Sequence, residues 1–220
     1  MRILSRTVGA FQENSYLVVD ETTNRAVLVD PGADPERIIE MVRESGAELE
    51  AIWLTHGHLD HLGAVAGVRR VWKVPVHLHP DDLPLYERAS GQAAMYGLPF
   101  DQPENPDVML ADGDVLTVGS LEFDVLHTPG HAPGHVVFTH GETALGGDLL
   151  FAGSIGRTDL PLSDPIRMEE SLARICELDD ATVVYPGHGP HTTIGQERAT
   201  NRQSRTRGST PTRHSRKRWC

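Results

Sequence analysis

Apolar and polar positions come in short alternating blocks from the first residues onward. Ile3 to Val8, Tyr16-Leu17-Val18-Val19-Asp20 and Ala26-Val27-Leu28-Val29-Asp30 read as three strands, the last two joined by a polar turn from Glu21 to Arg25. The period then changes. Asp34-Pro35 offers an N-cap with proline at the first helical position, and Ile38, Ile39, Met41 and Val42 carry an apolar stripe to Gly46, a stop signal. Ala51-Ile52-Trp53-Leu54 reads as a buried strand, Leu62 to Val68 as the start of a helix running on towards Trp72, and Val74 to His79 as a further strand. Pro80-Asp81-Asp82 opens a helical stretch reaching about Met95, after which Pro99, Pro103 and Pro106 mark a loop, expected as a flexible wall of a substrate cleft. Strands return at Asp114 to Val118, Leu121 to Leu126, Val136 to Phe138 and Thr143 to Leu145, followed by a helix from Pro165 to Leu178 and a strand from Thr182 to Tyr185. Two β-rich halves, each followed by helix, fit two facing sheets with helices outside.

With 220 residues and 39% hydrophobic content, the chain can bury one substantial core, and no linker divides it, so residues 1–201 are expected to form one domain. No apolar run is long enough to span a membrane, and the amino terminus lacks a signal-peptide pattern. Cys176 and Cys220 are too few for a disulfide framework or a thiolate-rich metal site. A cytoplasmic protein follows, in which any metal is held by nitrogen and oxygen. The net charge of -11 conceals an asymmetry: residues 202–220 carry seven of the 20 basic residues and no acid, leaving 13 basic against 31 acidic residues elsewhere. So acidic a body repels a phosphate backbone, which counts against nucleic acid as a partner. The basic segment 202–220 has no apolar periodicity and is expected to be a disordered tail rather than a functional arm.

The chemistry concentrates in Thr55-His56-Gly57-His58-Leu59-Asp60-His61, where four metal-ligating side chains fall within six residues at a strand-to-helix turn. Imidazole and carboxylate together suit zinc, iron or manganese. Four ligands in one turn are too crowded for one tetrahedral ion, so the simplest arrangement sends His56 and His58 to one ion and Asp60 and His61 to a second. Further ligands must then come from elsewhere. His131, Asp148 and His188 each follow an apolar strand in a turn rich in glycine or proline. His77 and His79, on one face of their strand, read instead as packing or capping residues.

Thr-His-Gly-His-Leu-Asp-His, Thr-Pro-Gly-His at 128–131, Gly-Gly-Asp at 146–148 and Pro-Gly-His-Gly at 186–189 together resemble the metallo-β-lactamase superfamily, and within it the glyoxalase II-like hydrolases. The resemblance implies an α/β fold, an αββα four-layer sandwich of two mixed sheets flanked by helices, with the site at one edge. It implies two divalent ions, zinc before iron or manganese: the first on His56, His58 and His131, the second on Asp60, His61 and His188, with Asp148 bridging and Asp60 counted as catalytic. The implied reaction is hydrolysis of a small-molecule thioester such as S-lactoylglutathione by a metal-bridging hydroxide. Lactam-cleaving relatives commonly carry cysteine or a non-bridging residue where this chain has Asp148, and diiron flavoproteins carry glutamate in place of His58, so both fit less well. The stretch Gly153 to Pro161 resembles a loop of short glyoxalase II-like proteins and persulfide dioxygenases, in which Arg157 and Asp159 are expected either to touch substrate or to form a buried ion pair.

Full-length glyoxalase II proteins add a helical carboxyl-terminal domain with basic residues for glutathione, and this chain has no room for one. The competing reading is a persulfide dioxygenase holding one iron on His56, His131 and Asp148. A metal-stabilised binding module fits worse, because a structural site is closed by its ligands and this one has more than a single ion needs.

Overall fold

The computed structural model describes residues 1–201; the expected tail at 202–220 lies outside them. β1 (Arg2–Val8), β2 (Glu13–Asp20) and β3 (Arg25–Val29) form an antiparallel meander, which β4 (Glu48–Trp53), β5 (Val76–Leu78) and β6 (Val108–Met109) extend as parallel strands into a six-stranded sheet ordered as in the chain. The second sheet begins with β7 (Val115–Val118), β8 (Leu121–His127), β9 (Val136–His140) and β10 (Thr143–Gly147), all antiparallel neighbours. After a small hairpin of β11 (Leu150–Phe151) and β12 (Ser154–Ile155), β13 (Val183–Pro186) adds in parallel to β10 and β14 (Thr192–Thr193) closes that edge.

Strand periodicity builds the layers. Along β2, Tyr16 and Val18 face the second sheet, where they join Trp53, Phe123 and Phe138, while Leu17 and Val19 face outward into the core under the helices. Helices α1 (Pro35–Ser45), α2 (Leu59–Leu62), α3 (Val65–Val71), α4 (Leu83–Glu87) and α5 (Ala89–Met95) cover that outer face with residues such as Ile38, Met41, Leu62, Val68 and Tyr86. On the opposite side α6 (Pro165–Ile175) and α7 (Ile194–Thr200) bury Met168, Leu172, Ile175 and Ile194 against Val137, Ala144 and Val184. The result is the expected αββα sandwich. Among the described residues no helix is long and apolar enough to cross a membrane.

Two expected helices are broken. The one drawn from Leu62 to Trp72 instead starts at Leu59, inside the histidine-rich motif, and is interrupted at Gly63-Ala64, where the Ala64 N–H donates to Pro31 O at 2.9 Å instead of continuing the helix. A side chain at Gly63 would meet Gly32 O at 2.4 Å, so the interruption is where the chain packs against the loop after β3. The stretch from Pro80 to Met95 divides into a 3-10 turn (Pro80–Asp82), α4 and α5. His79 caps that turn, accepting from Asp81 N at 3.3 Å, and stacks on His127, in line with the packing role expected for it. The short pieces β6, β11, β12, β14 and α7 have no counterpart in the sequence reading.

Candidate metal centre

Four loops meet at one edge of the sandwich. The turn after β4 carries His56 and His58, and α2 presents Asp60 and His61 from its first turn. From the second sheet come His131 after β8, Asp148 directly after β10, and His188 after β13. All seven expected ligands are brought together. His56, His58 and His131 offer ligand atoms within 4.8 Å of one another, as do Asp60, His61 and His188, and also His56, His61 and Asp148. Asp148 lies between the first two groups, Oδ1 being 3.5 Å from His61 Nε2 and Oδ2 3.5 Å from both His131 Nε2 and His188 Nε2.

A second ring of contacts fixes which nitrogen each imidazole turns inward. His61 Nδ1 donates to Asp30 Oδ2 at 3.0 Å, and His131 Nδ1 donates to the Arg157 carbonyl at 2.8 Å. Thr55 Oγ1 donates to Asp30 Oδ2 at 2.6 Å and so accepts from His56 Nδ1 at 3.0 Å. In each case Nε2 keeps a lone pair facing the cluster, free at His56 and His61 and at His131 accepting from His58 Nδ1 at 2.9 Å. His56 Nε2, His61 Nε2 and Asp148 Oδ1 are buried with no hydrogen-bond partner among the described residues. Acceptors buried in this way cost about 1–3 kcal/mol each, and a cation among them satisfies all three at once. The donor set therefore fits divalent metal ions.

At His56 and Asp148 the electrostatics agree. Burial first, then the neighbouring imidazoles, hold His56 well below its ordinary pKa, in the neutral form that binds metal. Burial works to raise the Asp148 carboxyl, but His61, His131 and His188 outweigh it and keep the group ionised, far below the carboxylate range.

Several supporting residues escaped the sequence reading. Asp30 sits in the left-handed region at φ 47, a conformation Asp tolerates better than most side chains, and gathers Thr55 and His61 with one carboxylate. His135, fully buried, takes the Asp148 N–H on its Nε2 at 3.0 Å and contacts Thr128 Oγ1 through Nδ1. Gly147 (φ 48) makes this approach: a Cβ there would lie 2.4 Å from Thr55 Oγ1 and 2.7 Å from His135 Nε2. Asp82 receives Gly57 N at 2.7 Å on one carboxylate oxygen and Gly134 N at 2.5 Å on the other, tying the two histidine-bearing loops together. The alternation of Tyr16 to Asp20 and of Ala26 to Asp30 placed Asp30 at a strand end facing the site, a signal that was available. Asp82 and His135 left none.

Arg157 and Asp159 do pair, at 2.8 and 3.1 Å, but the pair is exposed, with side chains 67% and 72% accessible, so the buried ion pair is not what forms. The loop stays outside because its inward contact is made by backbone: the Arg157 carbonyl holds His131, leaving the guanidinium to turn to solvent along the cleft wall.

Residues 8–188 match the sequence profile of the metallo-beta-lactamase superfamily, and the chain belongs to that superfamily, whose members are mostly hydrolases. It is 39% identical to hydroxyacylglutathione hydrolase GloC of Haemophilus influenzae over 199 residues, covering 88% of this chain and 93% of that protein. A protein solved in a di-iron-bound form shares 46% identity at a TM-score of 0.85, covering 91% of this chain and 99% of the other. The crystal structure of BLEG-1, a B3 metallo-beta-lactamase, shares 36% identity at a TM-score of 0.86 over 92% of this chain and 99% of the other. Overall likeness thus reaches proteins of different named activity, and the choice among them rests on the site.

Proposed function

We propose that this chain is a dinuclear metal-dependent hydrolase of thioesters. The observation that carries the reading is the carboxylate of Asp148 lying between two groups of ligand atoms, with its own Oδ1 and the Nε2 atoms of His56 and His61 buried and without a hydrogen-bond partner among the described residues. His56, His58 and His131 would hold one ion and Asp60, His61 and His188 the other, with zinc the proposed metal and iron the alternative. Two divalent ions supply Lewis acidity to the carbonyl oxygen and lower the pKa of water towards neutrality. The side chains do the rest. Asp30, Thr55 and the Arg157 carbonyl fix the imidazole orientations, Asp60 holds His188 Nε2 at 3.4 Å, and among the described residues the walls of the cleft over the centre include no serine or cysteine to act as a nucleophile. A thiolate, with a reference pKa of about 8.5, leaves with little help from a general acid, which suits a site lacking an evident one. The likeness to a hydroxyacylglutathione hydrolase supports a thioester substrate.

The test is metal content of protein purified without added metal, followed by assay on thioesters. Two ions per chain and thioester turnover are expected. One iron per chain with oxygen uptake on glutathione persulfide would replace the proposal with the mononuclear dioxygenase.

A further inference from the structure

The start of β2 reaches across to the second sheet at the edge where the ligand loops gather. Its backbone meets the turn after β13 in an isolated antiparallel bridge between Glu13 and His188, with the Asn14 N–H donating to Gly187 O at 2.7 Å. The Asn14 side chain then grips the turn on both sides of His188. Its Nδ2 donates to Pro186 O at 3.2 Å and to Gly189 O at 2.8 Å. Carbonyls only accept, so the amide must face them with its nitrogen, and Oδ1 turns away to accept from Thr7 Oγ1 at 2.9 Å. Tyr16, two residues along the strand and on the same face, donates its hydroxyl to the second lone pair of Pro186 O at 2.7 Å. Both side chains are buried.

The hold on His188 differs in kind from that on its neighbours. His56, His61 and His131 are each turned by a partner on Nδ1: Thr55, Asp30 and the Arg157 carbonyl. Around His188 the bonds from β2 are made to the backbone of the turn. The same turn is pressed inward from its other side. Gly187 N donates to Gly147 O at 2.8 Å, and a Cβ on Gly187 would meet Asp148 Oδ1 and lie 2.6 Å from His61 Cε1. The backbone therefore already sits against the centre, and the bonds from β2 keep it from backing away. Since His188 is the one candidate ligand on this turn, their loss acts on the group of Asp60, His61 and His188 and spares the group of His56, His58 and His131.

We infer that Asn14 is a positioning residue for the second metal ion, holding His188 at the centre from the opposite sheet with Tyr16 in support. The inference rests on the dinuclear reading of the centre. It is tested on the full-length, metal-free chain by titrating zinc against a chromogenic chelator, which reads the affinity of each ion separately and needs no substrate. Asn14→Ala should weaken the second ion by about tenfold to a hundredfold, the range typical of residues that orient a ligand, and leave the first unchanged. A purely structural role would lower the melting temperature of the metal-free chain and weaken both ions alike. Equal weakening of the two ions, or an unchanged second one, overturns the inference and leaves the dinuclear reading standing. A wild-type chain that takes up a single zinc ion sinks that reading, and the inference with it. Tyr16→Phe keeps the ring and removes one donor, so it should weaken the second ion about fivefold. An unchanged affinity in that variant would overturn the clamp even if Asn14→Ala fails to fold.

Discussion

His56, His58 and His131 are 0%, 9% and 4% exposed, whereas across Asp148 the side chains of Asp60 and His188 are 20% and 26% exposed, with only His61 of that group fully buried. One half of the centre is largely enclosed by protein, with His58 and His131 reaching the cleft by little surface, and the other opens more widely onto it. The difference follows from where the ligands are mounted. His56 and His131 are locked from behind by Thr55 and by the Arg157 carbonyl, while His188 follows β13 in a glycine-flanked turn and meets Asp60 and Asp148 at its inner edge. An enclosed ligand set is preorganised and exchanges slowly; an open one admits water, substrate and competing chelators. The two halves should therefore fail in different ways.

Asp148→Asn touches both and should have the largest effect, lowering thioester turnover by roughly a thousandfold, beyond the tenfold to hundredfold typical of outer partners, and reducing metal content below two ions per chain. Two ions retained after exhaustive dialysis would show that the carboxylate is not shared. His188→Ala and His56→Ala separate the halves: the first should leave one tightly held ion and cost about a hundredfold in rate, the second should disturb the enclosed half and lower thermal stability as well. Matching retention and matching melting curves for the two variants would erase the distinction. Asp30→Asn should weaken metal affinity by about tenfold to a hundredfold in a chelator competition, because it loosens His61 directly and His56 through Thr55.

The smallest effect is a pH dependence. Burial first, then the His131 imidazole, push His58 down to about 3 from the ordinary value of 6.5, so the unfolded chain takes up a proton that the folded chain refuses. Stability from this group is complete above about pH 6.5 and is lost as pH falls towards 3. Melting temperature and bound metal, followed together from pH 7 downward, should fall together, with the open half releasing its metal first. A melting temperature independent of pH in that window would contradict the burial of His58.

Much of this was legible in the sequence, for identifiable reasons. The strands appeared because Tyr16 to Asp20 and Ala26 to Asp30 alternate between two buried faces, and α1 because proline opens it and Gly46, at φ 71, ends it. The seven candidate ligands stood out because histidine and aspartate in glycine-rich turns after apolar strands are unusual in combination. What the sequence withheld depends on contacts between distant segments. Helix α2 breaks off from α3 because Ala64 bonds to Pro31, and Arg157 faces water because its carbonyl is engaged by His131. Strands of two residues, such as β6 and β14, carry no period to read. The cleft walls were foreseen only as a loop of prolines, since the side chains that line them come from many separate stretches of chain between Val8 and His188.

The carboxylate of Asp82 has a consequence for how this chain can change over generations. It holds Gly57 on one oxygen and Gly134 on the other, and both glycines press on its own residue: a Cβ on Gly57 would lie 2.8 Å from Asp82 O, and one on Gly134 2.7 Å from Asp82 N. None of the three positions touches a ligand atom, yet no one of them can be altered while the other two stay. In lineages that keep the two histidine loops, these positions should be inherited as one unit, so that a departure at Asp82 is accompanied by departures at both glycines.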